Sequence, residues 1–230
     1  MFEYERTTDR LTLSRSDTRW LSNGFDGGYV TADAAHNLTV PEGFKRTDLA
    51  AYAFERLGTE SDGPTLLTGV GQTNARGARC GPVEAVVTAG LSNPALLPID
   101  TTRSPPDRAN KPDTAPETGT VNILLGSSEP LTDGGLAGLL ATAVEAKAAT
   151  LVERAGCTGT TSDAVVVGCP NNSTGGKPFA GSATEIGNAA RVCVRDAVLA
   201  ALSARYDELP DPRGAEYTTV TSETATLFDP

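Results

Sequence analysis

Four short apolar runs, each bounded by glycine, proline or a charged residue, limit what this chain can fold into. They occupy residues 65–70, 83–91, 121–125 and 163–167. Apolar stretches of this length, closed by turn residues, read as interior strands. Two long helical patterns stand among them. One covers 134–154, with Thr132 or Asp133 as its cap and Gly156 just past its end. The other covers 182–206, acidic early at Glu185 and rich in alanine, and it precedes Pro210 and Pro212. A shorter helix is expected over 47–57, where Thr47 and Asp48 are cap candidates and Gly58 is the stop. Weak alternation over 3–13 reads as a strand or hairpin, and short strands at 19–22 and 29–30 flank a loop with Gly24, Gly27 and Gly28. Strands and helices share the chain without regular βαβ alternation. The expected class is α+β: a mixed sheet packed by two long helices and one short one.

Residues 98–117 carry five prolines, scattered charges and almost no apolar content. Such a stretch buries too little surface to offset its ordering entropy, so a mobile surface insertion is expected there. Apolar strands resume on either side, which makes 1–212 a single domain, followed by a polar tail over 213–230 that ends in an edge strand.

Composition removes several function classes. The formal charge is −10, from 19 basic and 29 acidic residues, which argues against a nucleic-acid partner. His36 is the only histidine and lies in a polar segment, so neither a zinc site nor a Ser-His-Asp triad is expected. Cys80, Cys157, Cys169 and Cys193 lack metal-ligand spacing and read as small buried apolar residues. The first ten residues lack the apolar stretch of a secretory leader, and no apolar run approaches the ~20 residues of a membrane span, so a cytoplasmic protein without a membrane partner is expected. Fifteen arginines stand against four lysines, among excess acid and many alanines and threonines. That balance points to a cytosol with high salt, although a GC-rich genome produces the same bias.

The chemistry concentrates at four junctions of one type. Residues 68–74 (TGVGQTN), 88–94 (TAGLSNP), 118–120 (TGT) and 158–160 (TGT) each lead into or out of a strand. Glycine permits close backbone approach and Thr, Ser and Asn supply neutral donors and acceptors, so a shared rim suits an amide-rich ligand, while the same residues also serve as ordinary turns. Lys147 is the most informative single residue. At ~100° per residue, a stripe centred on Leu140 holds Leu136, Val144 and Leu151, with Lys147 about 20° off centre. A core-facing lysine pairs with a carboxylate or loses its proton, whereas one at the stripe's edge snorkels.

These residues carry a family resemblance. The segments 88–93 (TAGLSN), 119–125 (GTVNILL), 140–147 (LATAVEAK) and 158–167 (TGTTSDAVVV) occur in this order, with Gly27-Gly28 and Asn37 to Pro41 upstream. Together they resemble the adenosylcobinamide amidohydrolases of corrinoid salvage, over roughly residues 15–205. With the acidic composition, the resemblance implies a member from a halophilic archaeon. It implies hydrolysis of the amide joining the aminopropanol arm to the corrin ring, giving adenosylcobyric acid. The corrinoid is then the substrate and no cofactor is implied; the oligomeric state stays open.

Amide hydrolysis needs an activated nucleophile or water, oxyanion stabilisation and a proton for the leaving amine. The candidate catalytic residues are Lys147, Glu145, Asp163 and Thr160, with Asp163 or Glu145 as general base. A hydroxyl–lysine pair between Lys147 and Thr120, Thr160 or Ser162 is the alternative. Asn74, Ser92, Asn93, Thr120, Asn122, Thr161 and Ser162 are candidate substrate-binding residues. A non-catalytic corrinoid binder and an autoprocessed threonine-nucleophile hydrolase are the rival readings. The charge itself makes a prediction: self-repulsion lowers the melting temperature in dilute buffer relative to molar potassium chloride, and a flat salt profile returns the acidic bias to genome composition.

Overall fold

The computed structural model describes residues 1–58, 62–99, 119–172, 175–212, 218–221 and 223–229. The Pro-rich stretch lies outside these residues apart from Pro98 and Ile99. Eleven strands and three α-helices are described: β1 Glu3–Arg6, β2 Arg10–Ser22, β3 Gly28–Thr39, α1 Leu49–Leu57, β4 Thr65–Thr68, β5 Arg76–Cys80, β6 Val83–Ala89, β7 Pro94–Leu96, β8 Val121–Ser127, α2 Asp133–Ala155, β9 Gly159–Thr160, β10 Ala164–Pro170, α3 Glu185–Arg205 and β11 Thr219–Val220. The main sheet runs β4-β3-β2-β10-β8-β6-β5, with β1 beside the first half of β2. It is mixed: β8 with β10 and β3 with β4 are parallel and the other pairs antiparallel. The fold is α+β, as the sequence pattern requires.

The central strands are buried on both faces because each face meets a different partner. Val83, Ala85 and Val87 of β6, Ile123 and Leu125 of β8, and Val165 and Val167 of β10 pack with Leu136, Leu139 and Ala143 of α2 and Ala190, Val194 and Ala197 of α3. The alternate residues Val86, Leu124 and Val166 join Leu11, Leu13, Trp20, Ala35 and Leu66 in a second core. The sheet curls over this second core. Asn122 of β8 donates through Nδ2 to Leu67 O of β4 and to Asn37 Oδ1 of β3, each at 2.9 Å, although three and two strands respectively lie between them in sheet order.

Several expectations are corrected. The polar segment around His36 is the second half of a twelve-residue strand, and His36 is buried with Nδ1 3.0 Å from Thr12 Oγ1. Its alanines carry too little hydrophobicity to announce a strand, and its burial rests on polar partners. The apolar stripe of α2 centres between Leu139 and Ala143, roughly 80° from Leu140, which like Val144 is only half-buried. Lys147 is buried all the same, roughly 60° from the true centre. By length and composition α2 is apolar enough to cross a membrane, contrary to the reading that no run is long enough; half of the qualifying window is buried within this fold. Cys157, Cys169 and Cys193 are buried free thiols, whereas Cys80 is half-buried.

The caps follow local chemistry. Thr132 accepts the Gly135 N–H at 3.1 Å at the start of α2, and Gly156, in the left-handed region at φ 70°, ends it. Asp48 precedes α1 without a side-chain cap; its carboxylate pairs with Arg46 instead. In the tail, β11 runs parallel to β7, which pairs with β9, giving a small second sheet beside the junction residues.

Candidate functional site

The junctions converge because of strand register. The last residue of β6, Ala89, lies opposite the first of β8, Val121, and β10 begins at Ala164 opposite Asn122. The β6 exit, the β8 entrance and the turn before β10 therefore share one end of the sheet. Gly119 packs there so closely that a Cβ on it would overlap the Ser92 backbone nitrogen and stand 2.7 Å from Asn93 Oδ1. The junction after β4 reaches the same place: a Cβ on Gly90 would lie 2.8 Å from a Val70 methyl and 3.4 Å from the Gly119 Cα.

Asp163 organises this end. Its Oδ1 accepts the Val121 N–H at 2.9 Å and the Thr160 hydroxyl; its Oδ2 accepts the Thr160 N–H at 3.1 Å and the Lys147 ammonium. The Lys147 and Asp163 side chains are 9% and 8% exposed. At that burial a lone ammonium or carboxylate is costly, so the pair and its extra hydrogen bonds are conditions for each other's presence. One carboxylate thus ties α2, the start of β8, and β9 with its turn.

Two further polar pairs extend the cluster outward. Thr120 Oγ1 and Ser162 Oγ lie 2.8 Å apart. Asn93 Nδ2 donates to Thr161 Oγ1, and the Thr161 N–H donates to Asn93 O at 3.3 Å. Thr161 and Ser162 are exposed at the tip of the turn, while the Asn93 Oδ1 is buried and has no partner among the described residues. Cys157 adjoins Lys147 and Asp163, but burial pushes its thiol pKa above the usual range, which keeps it protonated and a poor nucleophile.

The structure therefore brings together Lys147, Asp163, Thr160, Thr120, Ser162, Thr161, Asn93 and Ser92. It does not bring in the rest. Glu145 is exposed on the outer face of α2, two residues from Lys147 and so on another side of the helix, which removes it as the base beside Lys147. Asn122 is fully buried in the network with Asn37, Thr88 and Gln72 under the curled sheet, a structural position. Asn74 sits half-buried on a single 3-10 turn, Gln72–Asn74. Sequence reasoning missed the end of α3: Tyr206 accepts the Leu91 N–H at 2.9 Å and so belongs to the rim. An amphipathic aromatic at a helix end is a signal for such a role, but periodicity does not say which strand it meets. Among the described residues, no group of three or more His, Cys, Asp or Glu side chains gathers to hold a metal ion.

Comparison with known proteins fits this cluster. A family model described as adenosylcobinamide amidohydrolase matches residues 3–210, which include every residue of the site. The chain belongs to the adenosylcobinamide amidohydrolase family. It is similar to a Halobacterium salinarum protein of that name, at 46% identity over 239 aligned residues covering all of both chains. A Methanosarcina mazei protein of the same name is 29% identical over 209 residues, covering 86% of this chain and 96% of the relative. The β7–β9 pair of this family member lies within the match, whereas β11 lies beyond it.

The Asp163 cluster leaves no room at Gly159, where a Cβ would overlap Asp163 Oδ2 and stand 2.8 Å from Lys147 Nζ. Gly159→Ala is expected to destabilise the fold by about 1–3 kcal/mol in chemical denaturation. Gly181→Ala, where a Cβ meets nothing within 4 Å, changes it by no more than about 0.5 kcal/mol. Equal effects at the two glycines would show that the cluster tolerates displacement.

Proposed function

We propose that this chain hydrolyses the amide linking the aminopropanol arm to the corrin ring of adenosylcobinamide, and that the Thr160–Asp163–Lys147 constellation performs the reaction. Three things support the activity: the family membership, the shared name of both relatives, and a polar rim suited to an amide-fringed substrate. One observation carries the residue assignment. The Thr160 hydroxyl donates to a buried carboxylate that is itself held by Lys147. A hydroxyl, a base and a group that orients the base form the arrangement of an activated nucleophile.

In this reading Asp163 takes the Thr160 hydroxyl proton as Oγ1 attacks the amide carbon. The carbon–nitrogen bond breaks, the proton passes to the departing amine, and the corrin-side acyl group remains as an ester on Thr160. Water then attacks the ester; Asp163 accepts its proton and returns one to Thr160 Oγ1, releasing the carboxylic acid. Lys147 pairs with the Asp163 carboxylate, orients it and offsets the charge that develops. Thr120, Ser162 and Thr161 supply hydroxyls to the substrate's amide fringe. The corrinoid enters as substrate and the chemistry calls on no further group. The four free thiols suit a reducing cell interior, where we place the reaction.

Incubation with adenosylcobinamide, read by mass spectrometry, should yield adenosylcobyric acid; tight binding without product would replace the enzyme by a corrinoid binder. Thr160→Val keeps the shape and the backbone donor while deleting the hydroxyl. It should cost about 1 kcal/mol of stability and lower turnover per folded molecule by about 10² or more, with partial recovery in Thr160→Ser. Normal turnover by the folded valine variant removes Thr160 as nucleophile.

A further inference from the structure

Arg205 sits where α3 ends at the rim, and no part of the chemistry above uses it. Its Nε donates to the Tyr206 hydroxyl at 3.1 Å, and its guanidinium carbon lies 5.4 Å from the centre of the Tyr206 ring. That hydroxyl also accepts the Leu91 N–H, so the arginine is fixed to the segment that leads into Ser92 and Asn93. Among the described residues no carboxylate pairs with Arg205, in a chain with a formal charge of −10. A half-buried guanidinium held by its Nε, with its terminal nitrogens uncommitted among the described residues, is a donor fork awaiting an acceptor.

The complementary group lies on the other side of the same backbone contact. A Cβ on Gly90 would be 3.6 Å from Arg205 Nε and 3.4 Å from the Gly119 Cα, and a Cβ on Gly119 would be 2.7 Å from Asn93 Oδ1. Among the described residues the Asn93 Oδ1 is a buried acceptor without a partner; the other such amide oxygen, Asn122 Oδ1, lies away from the rim under the curled sheet. Asn93 Nδ2 donates to Thr161, which leaves Oδ1 as the open acceptor beside Gly119.

We propose that Arg205 and Asn93 form a clamp for the scissile amide, Arg205 donating to its carbonyl oxygen and Asn93 Oδ1 accepting its N–H. An amide presents one acceptor and one donor, and the rim offers one unused group of each complementary kind. After cleavage the carbonyl carbon carries a carboxylate, for which the guanidinium fork is the stronger partner. Arg205 therefore binds product as well as substrate. The clamp rests on the amidohydrolase reading for its ligand, and binding separates the two ideas.

The test uses the full chain with Arg205→Gln, Arg205→Lys and Tyr206→Phe. Steady-state kinetics with adenosylcobinamide are combined with equilibrium dialysis of adenosylcobyric acid. Arg205→Gln is expected to lower kcat/KM by about 10² and to weaken adenosylcobyric acid binding at least tenfold, on the scale of losing one charged donor at a reacting carbonyl. Arg205→Lys should recover part of both, since it restores charge without the fork. Tyr206→Phe removes the Nε partner and controls for packing; it should lose far less than Arg205→Gln at equal folded fraction. The clamp is overturned by a folded Arg205→Gln protein with unchanged kinetics and product affinity, or by equal losses in Arg205→Gln and Tyr206→Phe. Should the wild type bind the corrinoid acid but hydrolyse nothing, weakened binding by Arg205→Gln still upholds the clamp while the hydrolytic reading falls.

Discussion

A carboxylate taken out of water has to be met by donors on nearly every lone pair, and Asp163 meets that demand with four: the Lys147 ammonium, the Val121 N–H, and the N–H and hydroxyl of Thr160. These donors come from three elements far apart in sequence. Without the carboxylate, the Lys147 side chain would be a buried charge on α2, and the Thr160 turn would lose both its backbone and side-chain tether. The position of α2 against the sheet, the entrance of β8 and the presentation of Thr161 and Ser162 all depend on this one group. Gly159 completes it by leaving the space that the two charged groups fill.

The rest of the sheet can be viewed as support for that end. Alternating residues of β6, β8 and β10 serve two cores, one under α2 and α3 and one under the curled strands. Rotation of any central strand is opposed on both faces, which fixes the register that places Ala89, Val121 and Ala164 at a common edge. Inside the curl, Asn37 is hydrogen-bonded to Asn122, Thr88 and Gln72 where apolar side chains would otherwise be expected. Such a network requires one arrangement of strands, because a slip leaves buried amides unpaired. Rigidity of this kind suits a rim that must hold an amide within hydrogen-bond reach of a nucleophile.

The apolar runs around residues 85, 123 and 165, the two long helices and the Thr132 and Gly156 caps were legible because hydrophobic pattern and capping chemistry agree there. The long β3 was not, since Ala32, Ala34 and Ala35 are weakly hydrophobic and His36 and Asn37 are buried by partners remote in sequence. Lys147 was legible as a buried cation even though the stripe was placed on Leu140, because a wide stripe includes both phases. Its neighbour Glu145 was selected by proximity in sequence, which on a helix puts it on a different side. Asn122 shared a motif with the site but faces the inner core, a distinction that only strand register makes. The pairing of Asp163 with Lys147, and the arrival of Arg205 beside Gly90, are facts of three-dimensional packing that no local pattern encodes.

The central claim is that Lys147 and Asp163 are energetically one unit. A double-mutant cycle measures this directly, using the folding free energies of Lys147→Met, Asp163→Asn and the combined variant. Removing either partner alone strands the other and should cost about 3–5 kcal/mol. The double variant has no buried charge left to strand, so its loss should fall short of the sum of the two single losses by about 2 kcal/mol or more. Additive losses, with a coupling below about 0.5 kcal/mol, would contradict the account and leave the two residues as independent neighbours.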